Sequence, residues 1–152
     1  MRSFGWLFLA AAVCSVNAQN PVKCHAVGGV ITTNFVDAAD TLGSATGDLA
    51  GGLGVHVVDQ QAGPNGTLLI TVQHHWVTES GDTVGLDGAT VTLFPTAIQG
   101  FYAASYVDGI TVNGRGTGRL AGASGKVYGW GAANFATGQL VLRYSGQVCQ
   151  QW

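Results

Sequence analysis

The chain has 152 residues, of which only 9% are charged, with 6 basic and 8 acidic side chains and a net charge of −2. A nucleic-acid partner requires a basic face, so this composition argues against one. Glycine is abundant, with 24 residues, and no segment shows sustained helical periodicity, which favours an all-β chain.

Residues 1–18 have the features of a secretory signal. Arg2 supplies the positive start, residues 6–13 form a short apolar core, and Ala18 ends a small-residue cleavage site. The apolar run is too short to span the roughly 30 Å hydrocarbon core of a bilayer as a helix. We therefore expect cleavage near Ala18 and a secreted product, either extracellular or periplasmic. A lipoprotein signal acylated at Cys14 is an alternative.

The mature chain, residues 19–152, is long enough for one domain with a real core. It keeps two cysteines, Cys24 near its start and Cys149 near its end. Two cysteines in an exported protein are expected to form a disulfide. Such a bridge would make the first and last elements neighbours, which closing a sheet into a barrel requires. The alternative is two unpaired thiols in different places.

Short alternating runs separated by glycine turns follow the signal. The strongest strand signal lies at 67–78, where apolar positions alternate with polar ones. In residues 84–94, Asp87-Gly88 indicates a bulge or a tight turn. The sequence predicts strands at 30–36, 47–58, 67–78, 84–94, 101–112, 126–135 and 139–148.

These runs indicate seven or eight mostly antiparallel strands in a meander. A single closed antiparallel barrel, with its ends joined by the disulfide, is the simplest arrangement. A two-sheet sandwich is the alternative, but it would expose edge strands that this chain has few charges to protect. A small outer-membrane barrel ending at Trp152 is a third reading. The chain lacks the long outer loops of such barrels, and its strands show no continuous polar face for a lumen. We therefore expect no stable membrane insertion.

Residues 113–135 form the most distinctive segment, NGRGTGRLAGASGKVYGWGAANF. The pattern at residues 116–121 fits a dinucleotide-binding glycine motif, but that motif requires a following helix and an acidic residue about 20 positions on. No Asp or Glu follows Asp108, so we reject nucleotide binding. The glycines suit tightly curved β-structure, where backbones approach closely.

The same segment resembles known proteins. Residues 112–129, with Gly138 and residues 142–149, resemble the C-terminal half of the allene oxide cyclase-like barrels. They are also similar to the dirigent signature G-G-T-G-x-F-x-x-A-x-G. Gly116-Thr117-Gly118, Ala123 and Gly125 match that signature, and Leu120 stands where an aromatic residue is usual. The resemblance covers residues 110–149, and residues 41–49 add weaker similarity.

The resemblance implies an eight-stranded antiparallel barrel with a largely apolar cavity. Members of this family cyclise a reactive intermediate or control the stereochemistry of a coupling, without a cofactor, and many are dimers or trimers. A homo-oligomer is therefore expected, and a weakly charged surface agrees with self-association. The matched residues are structural in the family, so no catalytic residue can be assigned.

Candidate ligand-binding residues lie outside the glycine-rich segment. His74 and Trp76 fall on the apolar face of the strongest strand, which would point into a barrel, and we expect His56 to face inward too. A buried histidine near neutral pKa could move a proton, although a hydrogen-bonded core histidine is the simpler reading. Because His74 and His75 point to opposite faces, they cannot chelate one metal ion.

Three tyrosines complete the candidate set. Tyr102 and Tyr106 alternate on one face of their strand together with Asp108, and Tyr144 lies on an apolar face near the end of the chain. Tyrosines that line a barrel give an apolar wall with hydroxyl groups that can orient a ligand. Simple core packing is the alternative for each of them.

Two classes of function fit these observations. The first is a secreted, cofactor-free barrel that binds a small apolar molecule, as an isomerase or cyclase or as a dirigent-like guide that acts by confinement. The second is a non-catalytic structural or interaction protein with a packed barrel. An interior cavity separates the two, because only the first class needs one.

Overall fold

The computed structural model describes residues 21–151, and in this range the chain forms ten strands and two 3-10 turns. The turns span Pro64–Gly66 and Gly118–Leu120. The strands are β1 (Val22–Phe35), β2 (Asp40–Ala45), β3 (Gly51–Ala62), β4 (Leu68–Thr78), β5 (Thr83–Val84), β6 (Ala89–Pro95), β7 (Phe101–Ser105), β8 (Ile110–Arg115), β9 (Ala121–Asn134) and β10 (Gln139–Gln151).

Some predictions concern residues outside this range. The signal sequence, its cleavage near Ala18, the alternative at Cys14 and the terminal Trp152 all lie outside the described residues. Between residues 21 and 151, no helix combines the length and the apolar character that crossing a bilayer demands.

The strands form a ring of antiparallel neighbours. The order is β10, β1, β2, β3, β4, β6, β7, β9, and β9 pairs with β10 to complete the ring of eight. Two short strands extend the wall: β5 lies on the same side of β4 as β6, and β8 lies on the same side of β9 as β7. The predicted all-β antiparallel barrel of about eight strands is confirmed.

Cys24 and Cys149 form a disulfide across the seam between the first and last strands. They are direct partners in the β1–β10 register, and their Cα atoms are 3.9 Å apart. This pairing runs from Val22 with Gln151 to Asn34 with Gln139. The predicted bridge, and the predicted contact between the ends of the domain, are both confirmed.

The predicted strands at 84–94 and 101–112 are each interrupted. The first breaks at residues 85–88, around the predicted Asp87-Gly88 bulge or turn. This segment is hydrogen-bonded to β8, where Asn113 N–H donates to the carbonyl oxygen of Gly85 (3.0 Å). The second breaks at residues 106–109, where Gly109 has a φ of 69°. Asp108 is therefore exposed in a turn and does not share a strand face with Tyr102 and Tyr106.

The glycine-rich segment forms β8, the second 3-10 turn and β9, as its composition predicts. Gly125 has a φ of 146°, and a Cβ there would collide with the carbonyl oxygen of Gln147. A Cβ at Gly131 would collide with the carbonyl oxygen of Val141 in the same way. Glycine at these positions lets β9 approach β10 closely, and this pairing is part of the ring of eight strands.

The ring has two ends, which we call upper and lower. The lower end contains the turns at 46–50, 79–82 and 116–120 together with the Cys24–Cys149 bridge. The upper end contains the turns at 36–39, 63–67, 96–100 and 135–138.

Replacing both cysteines, as Cys24→Ser with Cys149→Ser, tests the contribution of the bridge. The pair is 125 positions apart in sequence, and a bridge that closes so long a loop restricts the unfolded chain strongly. We expect the free energy of unfolding to fall by about 4–5 kcal/mol in denaturant titrations of the mature protein. A loss below about 1 kcal/mol would show that β1–β10 pairing alone holds the seam.

Candidate functional site

The ring encloses a cavity of about 80 Å³, and most of its lining is aliphatic. Alternation along the strands delivers these side chains to the interior, as the predicted two-face pattern of β4 requires. A site that can hold a water molecule needs on the order of 10–15 Å³, so this space accommodates several waters or a small organic molecule. The central lining residues are Ile31, Leu53, Ile70, Val72, Leu93, Val127 and Leu142.

The cavity reaches solvent at the upper end. Ala38, Gln60 and Phe135 line it and are exposed, and Phe135 retains 40% of its accessible surface. The ring of Phe135 stacks on Phe35 with centroids 5.4 Å apart. Aromatic side chains therefore form one side of the entrance. We call this entrance the mouth, and it consists of Phe35, Ala38, Gln60 and Phe135.

The lower end is sealed by Leu49, which is 5% exposed. Trp76 Nε1–H donates to the carbonyl oxygen of Leu49 (2.8 Å). The Tyr144 hydroxyl accepts from Leu49 N–H (3.0 Å) and donates to the carbonyl oxygen of Thr46 (2.9 Å). The rings of Trp76 and Tyr144 meet edge to face at 5.2 Å. These contacts fix the turn at 46–50 across the barrel as a floor beneath the cavity.

His74 and Tyr106 meet in the cavity wall. His74 Nε2 and the Tyr106 hydroxyl are 3.0 Å apart and hydrogen-bonded. Burial, and secondarily the charge of the adjacent His75, lowers the pKa of His74 to about 4. Burial raises the pKa of the Tyr106 hydroxyl well above its usual range. At neutral pH the pair therefore consists of an uncharged imidazole and a protonated phenol.

Two buried polar atoms beside the cavity have no hydrogen-bond partner among the described residues. They are Thr41 Oγ1 and His74 Nδ1, and both residues line the cavity. Thr41 as a whole is 6% exposed. Buried polar groups in folded proteins are nearly always hydrogen-bonded, so an unpartnered pair in one cavity indicates a position for ligand or water oxygen atoms.

The structure places the predicted residues unequally. His74, Trp76, Tyr106 and Tyr144 all line the cavity. Tyr102 is half-buried beside the mouth, where its ring meets Phe135 edge to face at 5.3 Å, outside the cavity lining.

The prediction that His56 faces inward is wrong. Its side chain is 47% exposed, and its Nδ1 lies 2.8 Å from Asp40 Oδ1 on the outer surface. The reason is the register of β3, in which Val55 and Val57 line the cavity, so His56 between them must point outward.

Sequence reasoning missed Thr41 and the sealing residue Leu49. β2, which contains Thr41, was not predicted, and Leu49 was placed in the predicted strand at 47–58, whereas the structure has it in the turn before β3 begins at Gly51. The alternation of Thr41, Gly43 and Ala45 is a strand signal, but small residues make it faint.

Metal ligation finds no support in the described part of the chain. Between residues 21 and 151, no group of three or more His, Cys, Asp or Glu side chains is placed to hold a metal ion. His74 and His75 point to opposite sides of β4, since His74 lines the cavity and His75 is exposed.

Comparison with known proteins gives a weak structural similarity and no family. No family model matches the chain, and no curated protein matches it. Among solved structures, the chain is similar to the pterocarpan synthase dirigent protein, with 11% identity and a TM-score of 0.39 over 95% of this chain and 100% of that chain. At this identity and TM-score, no functional role is carried over from that protein to a residue of this chain.

The Tyr144 hydroxyl is expected to stabilise the floor. Tyr144→Phe leaves Leu49 N–H and the Thr46 carbonyl without their buried partner, so the free energy of unfolding should fall by about 1–3 kcal/mol. Tyr128→Phe, at a side chain that is 43% exposed, is the matched control and should change stability by less than about 0.5 kcal/mol. Equal losses for both variants would contradict the assigned role.

His74 should make stability depend on pH. Its pKa is about 4 in the folded chain and 6.5 when unperturbed, so between these values the unfolded chain binds more protons. The free energy of unfolding should therefore fall as pH drops from 6.5 towards 4, with a His74 contribution on the order of 3 kcal/mol.

Denaturant titrations across this pH range measure the effect. His74→Gln should remove that part of the pH slope, whereas His75→Gln, on the exposed side of the same strand, should retain most of it. An unchanged slope in His74→Gln would show that His74 is not held neutral by burial.

Proposed function

We propose that this protein is a secreted barrel that binds a small apolar molecule in its interior without a cofactor. The observation that carries the proposal is the apolar cavity, which reaches solvent at the mouth and ends at the floor. An apolar ligand in the cavity would leave water and contact aliphatic and aromatic side chains. This removal of apolar surface from water is the main driving force for such binding. Secretion agrees with the disulfide, because such bridges persist in oxidising compartments.

Confinement is the way in which this cavity would act on a reaction. A narrow, rigidly floored space limits the conformations that a flexible or reactive molecule can adopt. An isomerase, a cyclase or a dirigent-like guide would each use the cavity in this manner, as the resemblance of the glycine-rich segment implies. Ligand binding is the property that all of these share, and it is the part of the proposal to test first.

The second candidate is a non-catalytic interaction protein. Two observations favour it: the cavity is small, at about 80 Å³, and the outer face of β9 exposes Tyr128 and Trp130 by 43% and 46%. Exposed aromatic side chains are enriched at protein interfaces, including those between copies of one chain. In this reading the interior serves only as a core.

A binding experiment separates the candidates. Native mass spectrometry of the secreted protein should reveal co-purified small molecules and the number of chains. NMR titration with small apolar compounds from benzene to naphthalene should then shift interior methyl signals such as those of Ile70, Val72 and Leu93. If no compound perturbs these signals and no ligand co-purifies, the binding proposal fails and the interaction protein is favoured.

A variant at the mouth makes the test specific. Ala38→Trp places a large ring at the exposed end of the cavity and should slow ligand association by about tenfold. Ala103→Trp on the outer face of β7 adds the same ring away from the mouth and should leave association unchanged. Equal rates in both variants would show that ligands do not enter through the mouth.

A further inference from the structure

The two unpartnered polar atoms of the cavity lie at one level of the barrel. Thr41 of β2 pairs with Val55 of β3, and Val55 pairs with His74 of β4. The Cα atoms of Thr41 and His74 are thus separated by two strand spacings, on the order of 10 Å, and both side chains project into the same space. Val55 lies between them in the register and also lines the cavity, so a polar group that meets both must lie further into the cavity than the Val55 side chain.

The His74–Tyr106 pair in the cavity wall has one hydrogen available to donate to a ligand. An uncharged imidazole carries one N–H and a phenol carries one O–H. One of these two hydrogens lies in the bond between His74 and Tyr106, so the other remains to be donated. When the phenol donates to Nε2, the remaining hydrogen sits on Nδ1, which is the buried atom without a partner.

Thr41 supplies a second donor. Its hydroxyl is buried and has no partner among the described residues, so its O–H is also available. A carbonyl oxygen has two lone pairs and no hydrogen, so it matches two donors that converge from different strands. The remaining lining is largely aliphatic, which matches the hydrocarbon part of such a molecule.

We propose that Thr41 Oγ1–H and His74 Nδ1–H form a two-donor site for the carbonyl oxygen of a small ketone or aldehyde, with Tyr106 as the positioning residue whose hydroxyl donates to Nε2 and leaves the imidazole hydrogen on Nδ1. This inference rests on the proposed binding function and gives its ligand class. The uncharged state of the imidazole at neutral pH agrees with it, because a charged ring would donate from both nitrogens and favour an anion.

A pair of ligands of equal shape tests the site. Cyclohexanone and methylenecyclohexane differ only in C=O against C=CH₂, so the ratio of their dissociation constants reports on the oxygen. Comparing that ratio between variants cancels the cost of removing the ketone from water. Thr41→Val deletes the hydroxyl and keeps the side-chain shape. Thr71→Val makes the same change on the outer side of β4, where the Thr71 hydroxyl lies 3.3 Å from that of Thr90.

The ratio of the ketone constant to the alkene constant should rise by about three- to tenfold in Thr41→Val, the loss of one net hydrogen bond, and stay unchanged in Thr71→Val. The His74 Nδ1 nitrogen resonance should lie in the range of a protonated nitrogen without ligand, and cyclohexanone, but not methylenecyclohexane, should shift it further as the hydrogen bond to the ketone forms. Both variants must retain the amide spectrum of the folded protein.

The outcomes are distinct. An unchanged ratio in Thr41→Val, or an Nδ1 resonance that responds alike to both ligands, overturns the two-donor site while leaving apolar binding intact. If neither compound binds the unaltered protein, the proposed function itself fails and the site with it.

Discussion

The backbone pairing of β1 with β10 is the contact that makes a ring out of a meander. Once it forms, every strand of the ring has a neighbour on both sides, and the unpaired backbone groups of an open sheet edge are removed. This matters in a chain with only 9% charged residues, because charge is a usual protection of exposed edges. The cavity depends on the same contact, since Ile31 and Leu142 line it from the two sides of the seam.

Two sets of polar groups inside the ring differ in whether they have hydrogen-bond partners. At the floor, the Trp76 and Tyr144 side chains are hydrogen-bonded to the main chain of the turn at 46–50. At the level above, Thr41 and His74 each keep a buried atom without a partner among the described residues. Paired buried polar groups contribute to the stability of the fold, whereas unpaired ones cost stability, and this is why the ligand site is proposed at the second set.

The sequence predicted the features that follow from local periodicity and from cysteine chemistry. Alternation along β4 placed His74 and Trp76 inside, and the positions of Cys24 and Cys149 predicted the seam. It failed where long-range geometry decides. His56 lies in a glycine-rich strand whose inward face is ambiguous, and the true register is fixed by pairing with β2 and β4. Thr41 was missed because a strand of small residues has little hydrophobic signal, and its unpartnered hydroxyl becomes apparent only in three dimensions.

The hydrogen bonds of the floor have a consequence for how such a chain can diverge. Trp76 and Tyr144 bind the main-chain atoms of Leu49, so the bonds themselves do not depend on which apolar side chain occupies that position. Apolar substitutions at position 49 are therefore tolerated, whereas Gly47 in the same turn is required, because its φ is 88° and a Cβ there would collide with the carbonyl oxygen of Gly28. As long as Trp76 and Tyr144 are kept, the floor stays in place and the depth of the cavity is unchanged. Substitutions in the turns around Ala38 and Phe135, at the opposite end, can then change ligand preference without altering the floor.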